Sequence, residues 1–68
     1  MKQSLFSFWD VVYYCGQLWR VTGPAPDGRL RIRRCGWEHS QGIWGWDGYG
    51  KPIIVGAEVR AAALWLVP

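Results

Sequence analysis

Val11-Val12-Tyr13-Tyr14-Cys15-Gly16-Gln17-Leu18-Trp19-Arg20-Val21-Thr22 is the stretch that decides the fold. Both halves are rich in β-branched and aromatic residues, and Gly16 offers a tight turn between them, so the stretch predicts a β-hairpin. Gly23-Pro24-Ala25-Pro26-Asp27-Gly28 follows as a loop with two prolines and an Asp-Gly turn. It leads into Arg29-Leu30-Arg31-Ile32-Arg33, whose strict alternation of charged and apolar residues is the clearest strand signal in the chain. Ile43-Trp44-Gly45-Trp46 and Ile53-Ile54-Val55 read as further short strands, with Asp47-Gly48 as a hairpin turn signal. Near the end, Ala61-Ala62-Ala63 permits one helical turn over residues 60–64, and Trp65-Leu66-Val67 suits a closing strand. No segment before residue 57 carries apolar positions at helical spacing, and nine Gly and four Pro punctuate the chain. The predicted class is all-β: five to six short antiparallel strands with one short helical turn before the last.

With 68 residues the chain has room for one domain, 1–68, in which 1–8 form an N-terminal arm or cap. Half of the residues are hydrophobic and the net charge is only +3, which argues for a folded chain rather than a disordered one. A domain this small buries only about 60% of its unfolded surface, leaving few residues to support a catalytic cleft. No Ser, His and Asp constellation is recognisable, and no glycine-rich loop leads into a helix. The carboxylates Asp10, Asp27, Glu38, Asp47 and Glu58 fall mostly in turns, so enzyme activity is not expected and no cofactor is implied.

Asp10, Arg20 and the cluster from Arg29 to Arg34 interrupt every candidate membrane span. Asp10 also breaks the apolar N-terminal run, and no small-residue cleavage site follows, so the expected location is cytoplasmic. Cys15 and Cys35 are accordingly expected as two reduced, buried thiols, a disulfide being the alternative. Cys35 and His39 stand in a C-x3-H spacing, but only Cys15 adds to them without recruiting a carboxylate. That falls short of the four paired ligands of a structural zinc site, so no metal is expected and His39 reads as an ordinary loop residue.

The layout resembles the SH3-like small barrels. Val12-x-Tyr14-x-Gly16-x-x-Trp19-x-Val21 looks like their opening hairpin, and Val59 to Val67 looks like their short helical turn and last strand. The resemblance extends to such barrels in transposases and in small phage or plasmid proteins. It implies a five- to six-stranded barrel and, through those small proteins, a binding module. The recognition of proline-rich peptides by SH3 domains is not implied, because the first long loop, Gly23 to Gly28, holds only Asp27 where those domains carry several acidic residues. The activity of a tetrameric plasmid-type reductase with a similar barrel is not implied either, since its substrate-binding motif is not recognisable here.

Two surfaces stand out as candidate sites. If Trp19, Val21, Leu30 and Ile32 face the core, the simplest antiparallel register opposes Val21 to Leu30 and Trp19 to Ile32. Arg20, Arg29, Arg31 and Arg33 then share one outward face, where like charges repel and an external anion would relieve them. The plainer alternative is a solvated face. Trp44 and Trp46, two apart, share the face opposite Ile43 and Gly45; if Ile43 points inward both indoles point out, with Tyr49 in the adjoining turn. The alternative buries both indoles in the core. A core of this size holds three or four large aromatics at most, so some of the six Trp should be exposed. Trp9, with Phe6 and Phe8, is expected to cap the barrel's open end or to form a second sticky edge.

Together these features point to a non-catalytic module in which Arg20, Arg29, Arg31 and Arg33 contact nucleic-acid phosphates while Trp44, Trp46 and Tyr49 stack on bases. A second expectation uses the same residues on an acidic or nucleic-acid-handling host protein, as an inhibitor of the phage or mobile-element kind. A third is a structural homo-oligomer, at simplest a homodimer.

Overall fold

The computed structural model describes residues 6–67. Seven strands follow in order: β1 (Val11–Tyr14), β2 (Gln17–Pro24), β3 (Leu30–Arg34), β4 (Trp44–Trp46), β5 (Pro52–Ile54), β6 (Gly56–Val59) and β7 (Trp65–Leu66). The first three with β6 and β7 form one antiparallel sheet in the order β6-β3-β2-β1-β7, while β4 and β5 form a separate two-stranded sheet. Three-residue 3-10 turns occupy Pro26–Gly28 and Ala61–Ala63. The fold is therefore all-β, with its helical turn directly before the last strand. The assignment of 1–8 as an arm or cap lies mostly outside the described residues. No helix among the described residues is long and apolar enough to cross a membrane.

Local chemistry accounts for the first hairpin. Val12 pairs with Trp19 and Tyr14 with Gln17, so Cys15 and Gly16 form a two-residue turn. Both have positive φ, 52° and 74°, the geometry of a type I′ turn whose twist matches that of the strands it joins. This position puts Cys15 at an exposed tip, correcting the expectation that both thiols are buried; Cys35 is half-buried, and both are free.

Val12, Trp19, Val21, Ile32, Val59 and Leu64 make up the core, with Phe6, Tyr14, Leu30 and Ala57 packed around it. The Trp19 indole N–H donates to the Tyr14 carbonyl at 2.9 Å, so its polar edge is satisfied inside. Leu64 reaches this core because the turn at Ala61–Ala63 reverses the chain after β6, with the Leu64 N–H donating to the Ala61 carbonyl at 3.0 Å. Strand β7 then closes on β1, Tyr13 opposite Trp65.

The β2–β3 register differs from the expected one. Val21 lies opposite Ile32, Trp19 opposite Arg34 and Arg20 opposite Arg33, and a bulge at Thr22 carries the pairing on to Gly23 with Arg31. The strands are slid by two residues, which preserves the inward and outward alternation, so hydrophobic pattern alone does not choose between the two registers. The loop chooses: Pro24 pairs with Leu30, and the Ala25 N–H closes onto the Arg29 carbonyl at 2.9 Å. Arg29 consequently sits in the loop, outside the strand.

Strand β6 was not foreseen from the sequence. Gly56-Ala57-Glu58-Val59 has little strand propensity of its own and forms by pairing along the free edge of β3.

Candidate binding surface

Trp44 and Trp46 are 60% and 65% exposed, and Gly45 between them is buried. The reason lies beneath Gly45. A Cβ placed there would lie 2.7 Å from Trp37 Cζ3 and 2.9 Å from Val55 Cγ1, so Trp37 and Val55 fill the space under the hairpin and hold its glycine face inward. Alternation then turns both indoles to solvent, about 6.7 Å apart along the strand. Their cross-strand partners Ile54 and Pro52 are exposed beside them. The alternative in which both indoles are core does not hold. Ile43, whose inward orientation was the condition for exposed indoles, is itself 51% exposed. Trp37 is the residue that sequence reasoning missed, and a glycine lodged between two aromatics was the available sign that something packs against it.

At the hairpin tip, Asp47 Oδ1 accepts the N–H groups of Tyr49 at 2.8 Å and Lys51 at 2.9 Å. This five-residue loop, Asp47 to Lys51, takes its left-handed residue at Gly50 (φ 79°), not at Gly48. It leaves Tyr49 91% exposed.

Between the hairpin and the main sheet runs an open groove of about 650 Å³, lined by Arg31, Arg33, Ile43, Ile54, Ala57 and Glu58 among others. Two of the four predicted arginines thus meet the aromatic hairpin through Ile54, the partner of Trp44. Arg33 lies over Gly56, where any side chain would collide with its guanidinium, and Nη1 donates to the Gly42 carbonyl at 2.6 Å. Arg31 pairs with Glu58 at 3.0 Å, both side chains being more than two-fifths exposed.

Arg20 lies next to Arg33 on the same outward face but turns to the other side. Its Nη1 donates to the Trp9 carbonyl at 2.7 Å, its Nε approaches Glu38 at 3.4 Å, and its guanidinium sits 5.6 Å from the centre of the Trp9 ring. Glu38 is held below the ordinary carboxyl range because its own N–H and that of Gly36 donate to it, with Arg20 adding to the effect. Arg29 is exposed in its loop, away from any paired strand.

These contacts supply internal partners that the sequence did not reveal. Glu38 and Glu58 lie 18 and 27 residues from the arginines they meet, so the crowded arginine face is partly neutralised from within. Tyr13 and Trp65 form a second apolar area at the far edge of the sheet, 48% and 75% exposed. Among the described residues no three His, Cys, Asp or Glu side chains converge in a way that would hold a metal ion.

Exposed aromatic faces on the β4–β5 hairpin and at Trp9 thus share one small all-β scaffold with the arginine side chains. No protein-family model, curated protein or solved structure matches this chain.

Proposed function

We propose that this protein is a non-catalytic binding module for single-stranded nucleic acid, with Trp44, Trp46 and Tyr49 as the stacking platform and Arg31 and Arg33 as phosphate contacts. The exposed pair of indoles on one strand face, with Ile54, the cross-strand partner of Trp44, lining a groove that also holds Arg31 and Arg33, carries this reading. Every base has a π-face, so two indoles at strand spacing accept successive splayed bases without demanding a sequence. The net charge of +3 favours an anionic ligand. Arg29, exposed in the loop at the start of β3, is available to a longer strand. The strand order β6-β3-β2-β1-β7, with a 3-10 turn between β6 and β7, supports placing the scaffold with the SH3-like barrels.

A second reading has one observation of its own. Arg20, Arg31 and Arg33 already have acceptors in Glu38, Glu58 and the Gly42 carbonyl, while Ile43 and Ile54 add aliphatic surface that stacking does not need. That composition suits the anchor of a protein interface facing an acidic partner.

Titration of intrinsic tryptophan fluorescence with single-stranded and duplex oligonucleotides at two salt concentrations separates the readings. Salt-sensitive quenching by single strands, weakened about 5- to 150-fold in Trp46→Ala at about 1–3 kcal/mol per stacked base, is the expected result. A folded protein whose fluorescence is unmoved at low salt overturns nucleic-acid binding in favour of the protein partner.

A further inference from the structure

Trp9 occupies a backbone position that suits glycine. Ser7, Phe8, Trp9 and Asp10 form a β-turn closed by the Asp10 N–H donating to the Ser7 carbonyl at 3.1 Å, and Trp9, at the third position, has φ 76°. A positive φ there is the signature of a type II turn, whose third residue is ordinarily Gly or Asn. A bulky aromatic side chain is strained in that region. The surrounding structure over-determines it: the Trp9 N–H donates to the Val21 carbonyl, its own carbonyl accepts from Arg20, and Asp10 Oδ2 accepts the Ser7 N–H at 2.7 Å.

The side chain held this way is not spent on the core. Trp9 is half exposed, Phe8 beside it is 61% exposed, the Arg20 guanidinium lies against the ring, and His39 meets it edge-on at 6.3 Å. Arg20 is the cross-strand neighbour of Arg33, and Arg33 bonds to Gly42, two residues before Trp44. Trp9 is thus linked through Arg20 and its cross-strand neighbour Arg33 to the Gly42 carbonyl, in the loop that leads into the Trp44 and Trp46 hairpin.

We infer that Trp9, with His39 at its edge, is a second base-stacking position, used by strands long enough to cross the arginines from the Trp44 and Trp46 hairpin. The inference rests on the proposed single-strand binding and adds to it a second stacking position and a longer footprint. Strain placed under an exposed ring, where glycine would relax the backbone, fits a residue kept for contact rather than for stability.

The test compares a thymidine trimer, which covers the hairpin alone, with a thymidine decamer, which reaches Trp9. Wild-type protein is expected to bind the decamer more tightly. Trp9→Gly is expected to keep or raise Tm, to leave trimer affinity unchanged, and to lower decamer affinity about fivefold or more. A Trp9→Gly protein with lowered Tm and unchanged decamer affinity overturns the inference and makes Trp9 a structural clamp, while the trimer result leaves the hairpin site standing. Failure of wild-type protein to bind either oligonucleotide overturns both readings together. In the wild-type protein, the Trp9 indole N–H resonance should shift with the decamer and not with the trimer; equal shifts, or none with the decamer, also count against it.

Discussion

Gly45→Ala tests whether the aromatic hairpin is seated as described. The new methyl carbon would lie 2.7 Å from Trp37 Cζ3, 2.8 Å from Trp37 Cη2 and 2.9 Å from Val55 Cγ1. Ordinary carbon contacts begin near 3.4 Å, so something has to retreat by about 0.7 Å at the closest pair. Val55 has little freedom to do so. It is fully buried, its N–H donates to the Ile43 carbonyl at 2.7 Å, and its carbonyl accepts from Arg34 at 2.8 Å, tying the hairpin to β3. Trp37 is half-buried and takes up most of the displacement. Overpacking of this kind costs about 1–3 kcal/mol, offset by about 0.5–1 kcal/mol from replacing a glycine within a strand. The net loss centres on about 1.3 kcal/mol and reaches at most about 2.5 kcal/mol, and the central value is a fall in Tm of about 5–10 °C for a domain of this size. Thermal melts followed by circular dichroism and tryptophan fluorescence measure it. A Trp37→Leu background, which removes the obstructing ring, should reduce the cost of Gly45→Ala in a double-mutant cycle. An unchanged or raised Tm in Gly45→Ala, or full additivity with Trp37→Leu, would refute the account of why Trp44 and Trp46 face outward.

Two further outcomes follow from the electrostatics. Glu58→Gln releases Arg31 from the carboxylate it pairs with, so oligonucleotide affinity should rise several-fold and the dependence on salt should steepen; no change in either would remove Arg31 from the phosphate contacts. The same variant should change stability by less than about 1 kcal/mol, since the pair is well exposed. Glu38 has its carboxyl pKa lowered in the folded protein from a starting value of 4.5, so its stabilisation is complete above about pH 4.5 and is lost as pH falls through the lowered value. Glu38→Gln should therefore destabilise at neutral pH and flatten the acid side of the stability profile, and an NMR titration that finds Glu38 in the ordinary carboxyl range would contradict its hydrogen-bonded role.

How much was legible depended on how local the cause was. The hairpin over β1 and β2 was readable because its signal is contained in twelve consecutive residues, β-branched and aromatic on both sides of Gly16. The alternation from Arg29 to Arg33 marked β3, and three alanines marked the helical turn. Strand β6 was not readable, since Gly56, Ala57 and Glu58 become a strand only against β3. The exposure of Trp44 and Trp46 was conditional in the sequence, and Trp37, eight residues before Gly45, fulfilled the condition by filling the space beneath the glycine.

By itself the sequence determined an all-β domain, its strand-forming segments other than β6, and which side chains alternate inward on β2 and β3. Alternation has a period of two, so it fixes faces and leaves the register free by any even slip. Tertiary structure decided that slip through the Thr22 bulge and the closure of Ala25 onto Arg29. It also decided what the arginines touch, because Glu38, Glu58 and the Gly42 carbonyl come from distant parts of the chain, and contacts between remote residues are set by packing rather than by neighbours in sequence. The left-handed backbone at Trp9 is of the same kind: no local preference of tryptophan asks for it, and the long-range bonds from Arg20 and to Val21 help the turn's own bonds to hold it there.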